Sequence, residues 1–181
     1  MLNPNAKEFV PKNIFSKKES KSSRPKFLFN GKEVLSAGVL FYTIINNKPY
    51  YLLRKDNSKK NNNKWSDLGG KSDKKDKVLF DTITRELLEE TNNEINKLLN
   101  IDSFNSFDSL KSWIIKSNYI IIYNKSCKYL IFKIRLNDLK IKYLKDIYAE
   151  DTIVAWKYIN NNTKILLHPR LKRNYLNNQN V

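Results

Sequence analysis

The chain has 181 residues, of which 40% are hydrophobic and 12% aromatic, so it is long and apolar enough for one domain with a hydrophobic core. Its 34 basic and 18 acidic residues give a net charge of +16, which favours a polyanionic partner such as nucleic acid. The apolar stretches are too short to cross a membrane, no secretory signal follows Met1, and the single cysteine excludes an internal disulfide, so we expect no membrane partner and a reducing compartment.

The beginning of the chain is polar and basic, and we predict a flexible tail at residues 1–25 followed by one domain at residues 26–181. Within the tail, residues 2–11 read Leu-Asn-Pro-Asn-Ala-Lys-Glu-Phe-Val-Pro, in which spaced apolar residues can fill pockets on a partner. This segment resembles the PAM2 motif, Leu-Asn-Pro-x-Ala-x-x-Phe-x-Pro, which docks on the C-terminal peptide-binding domain of cytoplasmic poly(A)-binding protein. The resemblance implies a protein of the eukaryotic cytoplasm, encoded by a cell or a virus; the alternative is an ordinary frayed terminus. The residues implied to contact the partner are Leu2, Asn3, Pro4, Ala6, Phe9 and Pro11.

From residue 26 onwards, apolar runs rich in β-branched and aromatic residues alternate with turn signals. The predicted strands are 27–29, 33–45, 50–54, 112–116, 119–123, 129–136 and 154–159, the last preceded by a segment at 147–151. A helix is predicted from about Lys77 to Thr91, capped by Asp76 or Asp73. The apolar residues expected to face the sheet from this helix are Leu79, Phe80, Ile83 and Leu87. A second, closing helix is predicted at 169–176, so the pattern indicates an α/β or α+β fold.

The most informative stretch runs from a glycine pair to a group of acidic residues. Gly69 and Gly70 are two of only four glycines in the chain, and an adjacent pair marks a tight turn or a close approach to a ligand. On the following helix, Glu86, Glu89 and Glu90 share one face, where like charges repel by roughly 0.2 to 0.5 kcal/mol per pair unless a cation lies between them. Carboxylate oxygens are the ligands that Mg²⁺ and Mn²⁺ prefer, and these metals also bind substrate phosphates. The sequence therefore predicts a metal site; the alternative is a solvated acidic helix.

Gly70, a polar spacer and then Arg-Glu-Leu-Leu-Glu-Glu at residues 85–90 resemble the Nudix box, Gly-x5-Glu-x7-Arg-Glu-U-x-Glu-Glu-x-Gly-U with U apolar. The box is the signature of hydrolases that cleave a nucleoside diphosphate linked to another group. The chain departs from it at Asp76, which replaces glutamate, in the eight residues between Asp76 and Arg85, and at 92–93, where Asn-Asn replaces Gly-U. The resemblance implies a Nudix-like α/β/α sandwich with a mixed β-sheet and one catalytic helix.

The same resemblance implies metal-assisted attack of water on a phosphoanhydride, with Arg85 orienting the carboxylates. The implied ligands of Mg²⁺ or Mn²⁺ are Glu86, Glu89, Glu90 and the carbonyl group of Gly69. A glutamate from a late loop acts as the base in many relatives, and Glu150 is the first candidate here. Asp151 is the second candidate and Glu86 is the alternative, because family members differ in this respect.

Together, the Nudix resemblance, the positive charge and the PAM2 resemblance lead to the hypothesis of an mRNA-decapping enzyme. It would release m7GDP and 5′-monophosphate RNA and be recruited to polyadenylated mRNA by poly(A)-binding protein. The alternatives are a pyrophosphatase of nucleotides, dinucleoside polyphosphates or diphosphoinositol phosphates, and a catalytically weak RNA-binding adaptor. Four aromatic residues could stack on the base of the substrate or belong to the core: Trp65, Trp113, Tyr123 and Trp156.

Overall fold

The computed structural model describes residues 15–18, 24–56, 63–101, 104–137, 146–149, 152–160, 163–171 and 175–176. These residues form a mixed α+β fold with an eight-stranded mixed sheet, a three-stranded antiparallel sheet and few helices. The predicted fold class and mixed sheet are thus confirmed. No helix within the described ranges is long and apolar enough to span a membrane.

In chain order the elements are β1 (Phe15–Lys18), β2 (Lys26–Phe29), β3 (Lys32–Val34), β4 (Ser36–Ile45), β5 (Lys48–Asp56), β6 (Trp65–Ser66), β7 (Leu68–Lys71), α1 (Leu79–Glu90), α2 (Ile95–Leu99), α3 (Phe107–Lys116), β8 (Tyr119–Asn124), β9 (Tyr129–Arg135), β10 (Ile147–Ala149) and β11 (Thr152–Tyr158). The large sheet has the strand order β10-β11-β5-β4-β9-β8; in addition, β6 pairs with β5 and β7 pairs with β4. The small sheet has the order β1-β2-β3.

Strand β4 is the centre of the large sheet. It pairs in parallel with β9 on one side, and on the other side it pairs antiparallel with β7 along its first half and with β5 along its second half. Residues 36–41 of β4 are all buried, which explains why the run is apolar almost throughout instead of alternating with polar residues. The pairing with β7 fixes the glycine pair against the middle of the sheet.

Helices α1 and α3 cover one face of the large sheet. Each residue predicted to face the sheet from α1 is buried in the larger core cluster, together with Leu110 and Ile114 of α3. The second face has a smaller core, in which Leu40 and Tyr51 pack with Leu171 and Leu176 from the end of the chain. The sheet is therefore covered on both faces, by helices on one and by the C-terminal segment on the other.

Three predictions differ from the structure. Residues 112–116, predicted as a strand, belong to helix α3, where Leu110 and Ile114 recur at helical spacing and Ser106 caps the first turn through its hydroxyl. Helix α1 begins at Leu79, and neither Asp73 nor Asp76 caps it. Instead Asp81, in the first turn, accepts hydrogen bonds from the N–H groups of Lys77 (2.7 Å) and Val78 (2.9 Å).

Both ends of the chain also contain differences from the predictions. Residues 15–18 lie in the segment predicted as a tail, yet they form β1 and pair with β2. At the other end, residues 169–171 of the predicted closing helix form a turn, whereas residues 175–176 are helical. The PAM2-like segment, residues 2–11, lies outside the described residues.

Candidate active site

An open cavity of about 750 Å³ lies where β7 meets the C-terminal half of α1. Its lining includes both glycines of the pair and residues from β5, β10, β11 and the segment after β11. Nine charged residues line it: Glu86, Glu89 and Glu90 of α1, the arginines Arg24, Arg54, Arg85 and Arg170, and Lys71 and Asp73. The cavity thus contains all of the acidic residues predicted on α1, with Arg85 and Gly69.

Arg85 orients two of the three carboxylates. Its Nη1 atom donates to Glu86 Oε1 (2.9 Å) and to Glu89 Oε2 (3.0 Å). Its Nη2 atom donates to the carbonyl oxygen of Lys71 (2.8 Å), which ties the helix to the end of β7. Because each of these bonds involves a charged guanidinium, the two carboxylates are held more firmly than neutral hydrogen bonds would hold them.

Asp76 holds Arg85 from the opposite side. Its buried carboxylate accepts hydrogen bonds from Asp73 N (2.7 Å) and Thr82 Oγ1 (2.8 Å), and Oδ2 lies 3.3 Å from Arg85 Nη2. Asp76, which stands where the resemblance to the Nudix box implies a glutamate, therefore pairs with Arg85.

Glu90 is the most enclosed of the three carboxylates. Its Oε2 atom accepts a hydrogen bond from the N–H of Gly69 (2.8 Å), and Oε1 lies 3.2 Å from Arg54 Nη1. Burial raises the pKa of Glu90 to about 8, although the charges of Arg54 and Arg170 act to lower it. Burial also raises the pKa of Glu86, against the effect of its hydrogen bond to Arg85. Glu89 is more open to solvent, with 58% of its side chain exposed.

The carboxylate oxygens of Glu86, Glu89 and Glu90 are the type of ligand that a divalent metal prefers, but the three groups do not point to one common position. Within the described ranges, no three His, Cys, Asp or Glu side chains are grouped closely enough to hold a metal ion. In this arrangement Glu86 and Glu89 bind Arg85, and Glu90 binds Gly69 and Arg54. Three hard oxygen donors in an open cavity nevertheless match the ligand preference of Mg²⁺ and Mn²⁺.

Three charged residues that the sequence analysis did not identify support the site: Arg54, Asp67 and Arg170. Asp67 is fully buried between β6 and β7, and its Oδ1 atom accepts a hydrogen bond from Arg170 Nε at 3.0 Å. Two of these residues had a signal in the sequence: Arg54 follows the apolar run Tyr-Tyr-Leu-Leu, and Asp67 stands directly before Leu-Gly-Gly. Arg170 had none, since it lies in a segment predicted as part of a helix.

The structure leaves the predicted base untested, and it does not bring the four candidate aromatic residues to the cavity. Glu150 and Asp151 lie outside the described residues, whereas Ile147 and Thr152 on the strands before and after them line the cavity. None of the four candidate aromatic residues is among the lining residues. Trp156 is buried and donates from Nε1 to the carbonyl oxygen of Leu98 (3.2 Å).

The other three candidate aromatic residues also have structural contacts away from the cavity. Trp113 packs against Phe104 with ring centroids 5.0 Å apart. The hydroxyl of Tyr123 donates to the carbonyl oxygen of Glu33 (2.9 Å). The ring of Trp65 lies 4.9 Å from Lys157 Nζ. Base stacking by these residues in the cavity is therefore not supported.

Comparison with known proteins gives a family-model match at the beginning of the chain and a solved structure of low sequence identity that covers most of the chain. The family model described as PAM2: Ataxin-2 C-terminal region matches residues 1–12. Comparison with curated proteins gave no match. Among solved structures, the chain is similar to an Ap4A hydrolase of C. elegans, described as a binary complex, at 18% identity and a TM-score of 0.38. That similarity covers 69% of this chain and 78% of the other.

Proposed function

We propose that this chain is a Nudix hydrolase that cleaves the phosphoanhydride bridge of the mRNA cap and releases m7GDP and 5′-monophosphate RNA. The observation that supports hydrolysis is the cavity beside Gly69 and Gly70, in which three carboxylates of one helix face lie among arginines. A phosphoanhydride presents several negative charges, and cleaving it requires that these charges be neutralised while water attacks.

The residues of the cavity have distinct roles in this proposal. Mg²⁺ or Mn²⁺, held by Glu86, Glu89, Glu90 and the carbonyl group of Gly69, would neutralise phosphate charge and lower the pKa of water. Arg85 fixes the orientation of Glu86 and Glu89 through its bonds to both. Glu150 is the proposed base, with Asp151 as the second candidate and Glu86 as the alternative.

Two properties of the chain support capped mRNA as the substrate. The net charge of +16 favours a polyanion that is larger than a nucleotide. The match to PAM2 at residues 1–12 supports docking on the peptide-binding domain of cytoplasmic poly(A)-binding protein. Such docking would raise the local concentration of capped, polyadenylated RNA around the cavity without any additional contact in the cavity itself.

A cap-release assay tests this function. RNA with a labelled cap and, separately, free nucleotides are incubated with the full chain and Mg²⁺ or Mn²⁺, and the products are separated. Wild type is expected to release m7GDP, and Glu89→Gln and Glu90→Gln are expected to lose most activity. Glu94→Gln is the matched control, because Glu94 follows the same helix but pairs with Lys97 and does not line the cavity. Cleavage of free nucleotides alone would exclude decapping, and no cleavage by wild type would favour the adaptor alternative.

One observation favours the small-substrate alternative. The described lining of the cavity contains no aromatic side chain, although a methylated guanine is bound well by aromatic faces. A cavity of charged groups instead suits the phosphate chain of a dinucleoside polyphosphate or a diphosphoinositol phosphate. In the same assay, this alternative predicts that such compounds are hydrolysed faster than capped RNA.

Recruitment is tested separately from hydrolysis. Leu2→Ala combined with Phe9→Ala is expected to abolish capture of the chain by the peptide-binding domain of poly(A)-binding protein, while hydrolysis of a short capped RNA is unchanged. Lys7→Ala, at a position that the motif leaves open, is the control. Equal capture of the double variant and wild type would remove the recruitment step from the proposal.

A further inference from the structure

We propose that Arg170 binds a phosphate group of the substrate, and that Asp67 and Tyr129 hold its guanidinium group in the orientation required. The proposal rests on the proposed function for the chemistry of the ligand, whereas the orientation of Arg170 follows from the contacts below. Arg170 comes from the segment after β11, and its side chain reaches the cavity beneath β6 and β7.

One edge of the guanidinium group is used by the protein. Nε donates to Asp67 Oδ1 (3.0 Å), and Nη2 donates to the carbonyl oxygen of Asp67 (2.8 Å) and to Ser66 Oγ (3.1 Å). Nη1 makes no hydrogen bond to any residue that the structure describes. Since 14% of the side chain is exposed and Arg170 lines the cavity, the two N–H groups of Nη1 remain available to a ligand there.

A second layer of contacts prevents this arrangement from rotating. The hydroxyl of Tyr129 donates to Asp67 Oδ2 (2.8 Å), so both carboxylate oxygens of Asp67 are occupied. Burial raises the pKa of Tyr129 well above its usual value, which keeps the hydroxyl protonated as a donor. The Tyr129 ring lies 5.0 Å from Arg170 Cζ, and Asn124 Nδ2 donates to the carbonyl oxygen of Arg170 (3.1 Å).

Stability alone is a weak reason for a buried ion pair of this kind. Taking two charges out of water costs more than their attraction returns unless the geometry is very good, and apolar replacements are often as stable. A fixed guanidinium, by contrast, offers planar donors that match phosphate oxygens and loses little freedom when the ligand binds.

Arg170 also differs from Arg54 and Arg85, two of the other three arginines that line the cavity. Arg85 and Arg54 contact the carboxylates of α1, whereas the hydrogen bonds of Arg170 run to Asp67 and Ser66. Its N–H donors are therefore not hydrogen-bonded to the residues that would bind a metal, although the charge of Arg170 acts to lower the pKa of Glu86 and of Glu90. The charge of Asp67 balances that of Arg170 behind the cavity, and the exposed end of the guanidinium can bind an anion in front of it.

Calorimetric titration with methylenediphosphonate tests the proposal without any turnover, because the P–C–P bridge of this diphosphate analogue is not hydrolysed. The full chain is titrated in Mg²⁺ and again in EDTA. Arg170→Met is expected to weaken binding about 10- to 100-fold, as for the loss of a charged hydrogen bond. Arg170→Lys is expected to fall in between, because lysine keeps the charge but loses the planar donors. Arg135→Met, which removes an exposed arginine outside this cavity, is expected to change the affinity less than about twofold.

A double variant separates ligand binding from folding. Arg170→Met leaves the buried Asp67 without its cation, so thermal unfolding is measured in parallel, and Asp67→Asn is added to remove the unpaired charge. The double variant is expected to regain thermal stability but not affinity. A double variant with wild-type stability and wild-type affinity would overturn the proposal, as would a wild-type chain that does not bind methylenediphosphonate in either condition.

If neither Arg170→Met nor its combination with Asp67→Asn folds, the affinity of Arg170→Lys tests the proposal, because lysine can still pair with Asp67. A folded Arg170→Lys chain with wild-type affinity would overturn the proposal, and a weakened one would support it. Failure of the proposed function gives a different result: capped RNA is not hydrolysed, while the wild-type chain binds methylenediphosphonate and the Arg170 variants bind it less well.

Discussion

Replacing three glycines by alanine, one at a time, separates the effect of the site from the effect of the fold. A Cβ atom on Gly70 would lie 2.3 Å from Glu86 Oε2, whereas one on Gly69 would lie 2.3 Å from the Cα atom of Gly38 and 2.4 Å from the carbonyl oxygen of Ala37. A Cβ atom on Gly31 would have no neighbour within 4 Å. Only at Gly70 is the obstacle the far end of a flexible side chain.

The magnitudes follow from these distances. An ordinary contact of a Cβ atom begins at 3.4 Å, so the Glu86 carboxylate must move by about 1 Å in Gly70→Ala, a displacement that can cost about 10²-fold in rate. Its stability is expected to change by less than about 1 kcal/mol, because the backbone need not move. Gly31→Ala, at φ +72°, is expected to cost about 1 kcal/mol through backbone strain alone.

Gly69→Ala combines a φ of +153° with overlap against the backbone of β4, so it is expected to lose more than about 3 kcal/mol. Urea unfolding gives the stabilities, and kcat/KM is measured on whichever substrate wild type hydrolyses. Full activity in Gly70→Ala would refute the assignment of Glu86 to the reacting centre. A stability loss as large as that of Gly69→Ala would refute the claim that only a side chain is displaced.

Three further predictions concern charged groups. Asp76→Asn weakens the support of Arg85, and we expect at least about a tenfold loss of kcat/KM, with a circular dichroism spectrum like that of wild type. Burial acts to raise the pKa of Asp81, but the hydrogen bonds that it accepts from Lys111 and from two backbone N–H groups outweigh burial and hold the pKa below 3.8. The ionised carboxylate therefore stabilises the folded chain above pH 3.8, and this stabilisation is lost as the pH falls through the pKa of Asp81 in the folded chain. Asp81→Asn should accordingly make the free energy of unfolding depend less on pH in acid. Burial lowers the pKa of Lys133 from 10.5 to about 8, so the unfolded chain binds one proton more than the folded chain between these two values. The free energy of unfolding should therefore rise between about pH 8 and 10.5 in urea titrations, and a Lys133→Met variant should lack that rise.

The sheet and helix α1 could be predicted because their signals are local. The strands of β4, β5, β8, β9 and β11 are apolar runs between turn residues, and the buried face of α1 has clear helical spacing. Residues 112–116 are a different case: Trp-Ile-Ile is also a good strand sequence, and only packing of Leu110 and Ile114 against the larger core decides for a helix.

The acidic part of the site could be predicted for the same reason, since Glu86, Glu89 and Glu90 are close in sequence. Their partners could not, because Arg54 and Arg170 are 32 residues before and 84 residues after Glu86 in the numbering, and only the tertiary fold brings them to one cavity. The prediction that Asp76 or Asp73 caps α1 was wrong for a related reason. Asp76 is engaged by Arg85 and Thr82, so it is not available to the helix end, and Asp81 accepts those N–H groups instead.

The glycine pair shows how a correct local signal can have two different causes. Gly69 lies opposite Gly38 in the pairing of β7 with β4, and a Cβ atom on either residue would overlap the hydroxyl of Tyr129, at 2.5 Å and 2.2 Å. These two glycines therefore leave room for the bond from Tyr129 to Asp67, and through it for the fixed position of Arg170. At Gly70, by contrast, the absence of a Cβ atom leaves room for the carboxylate of Glu86 on α1. The pair thus supports both charged sides of the cavity, since Gly69 admits the residues that hold a guanidinium and Gly70 admits Glu86.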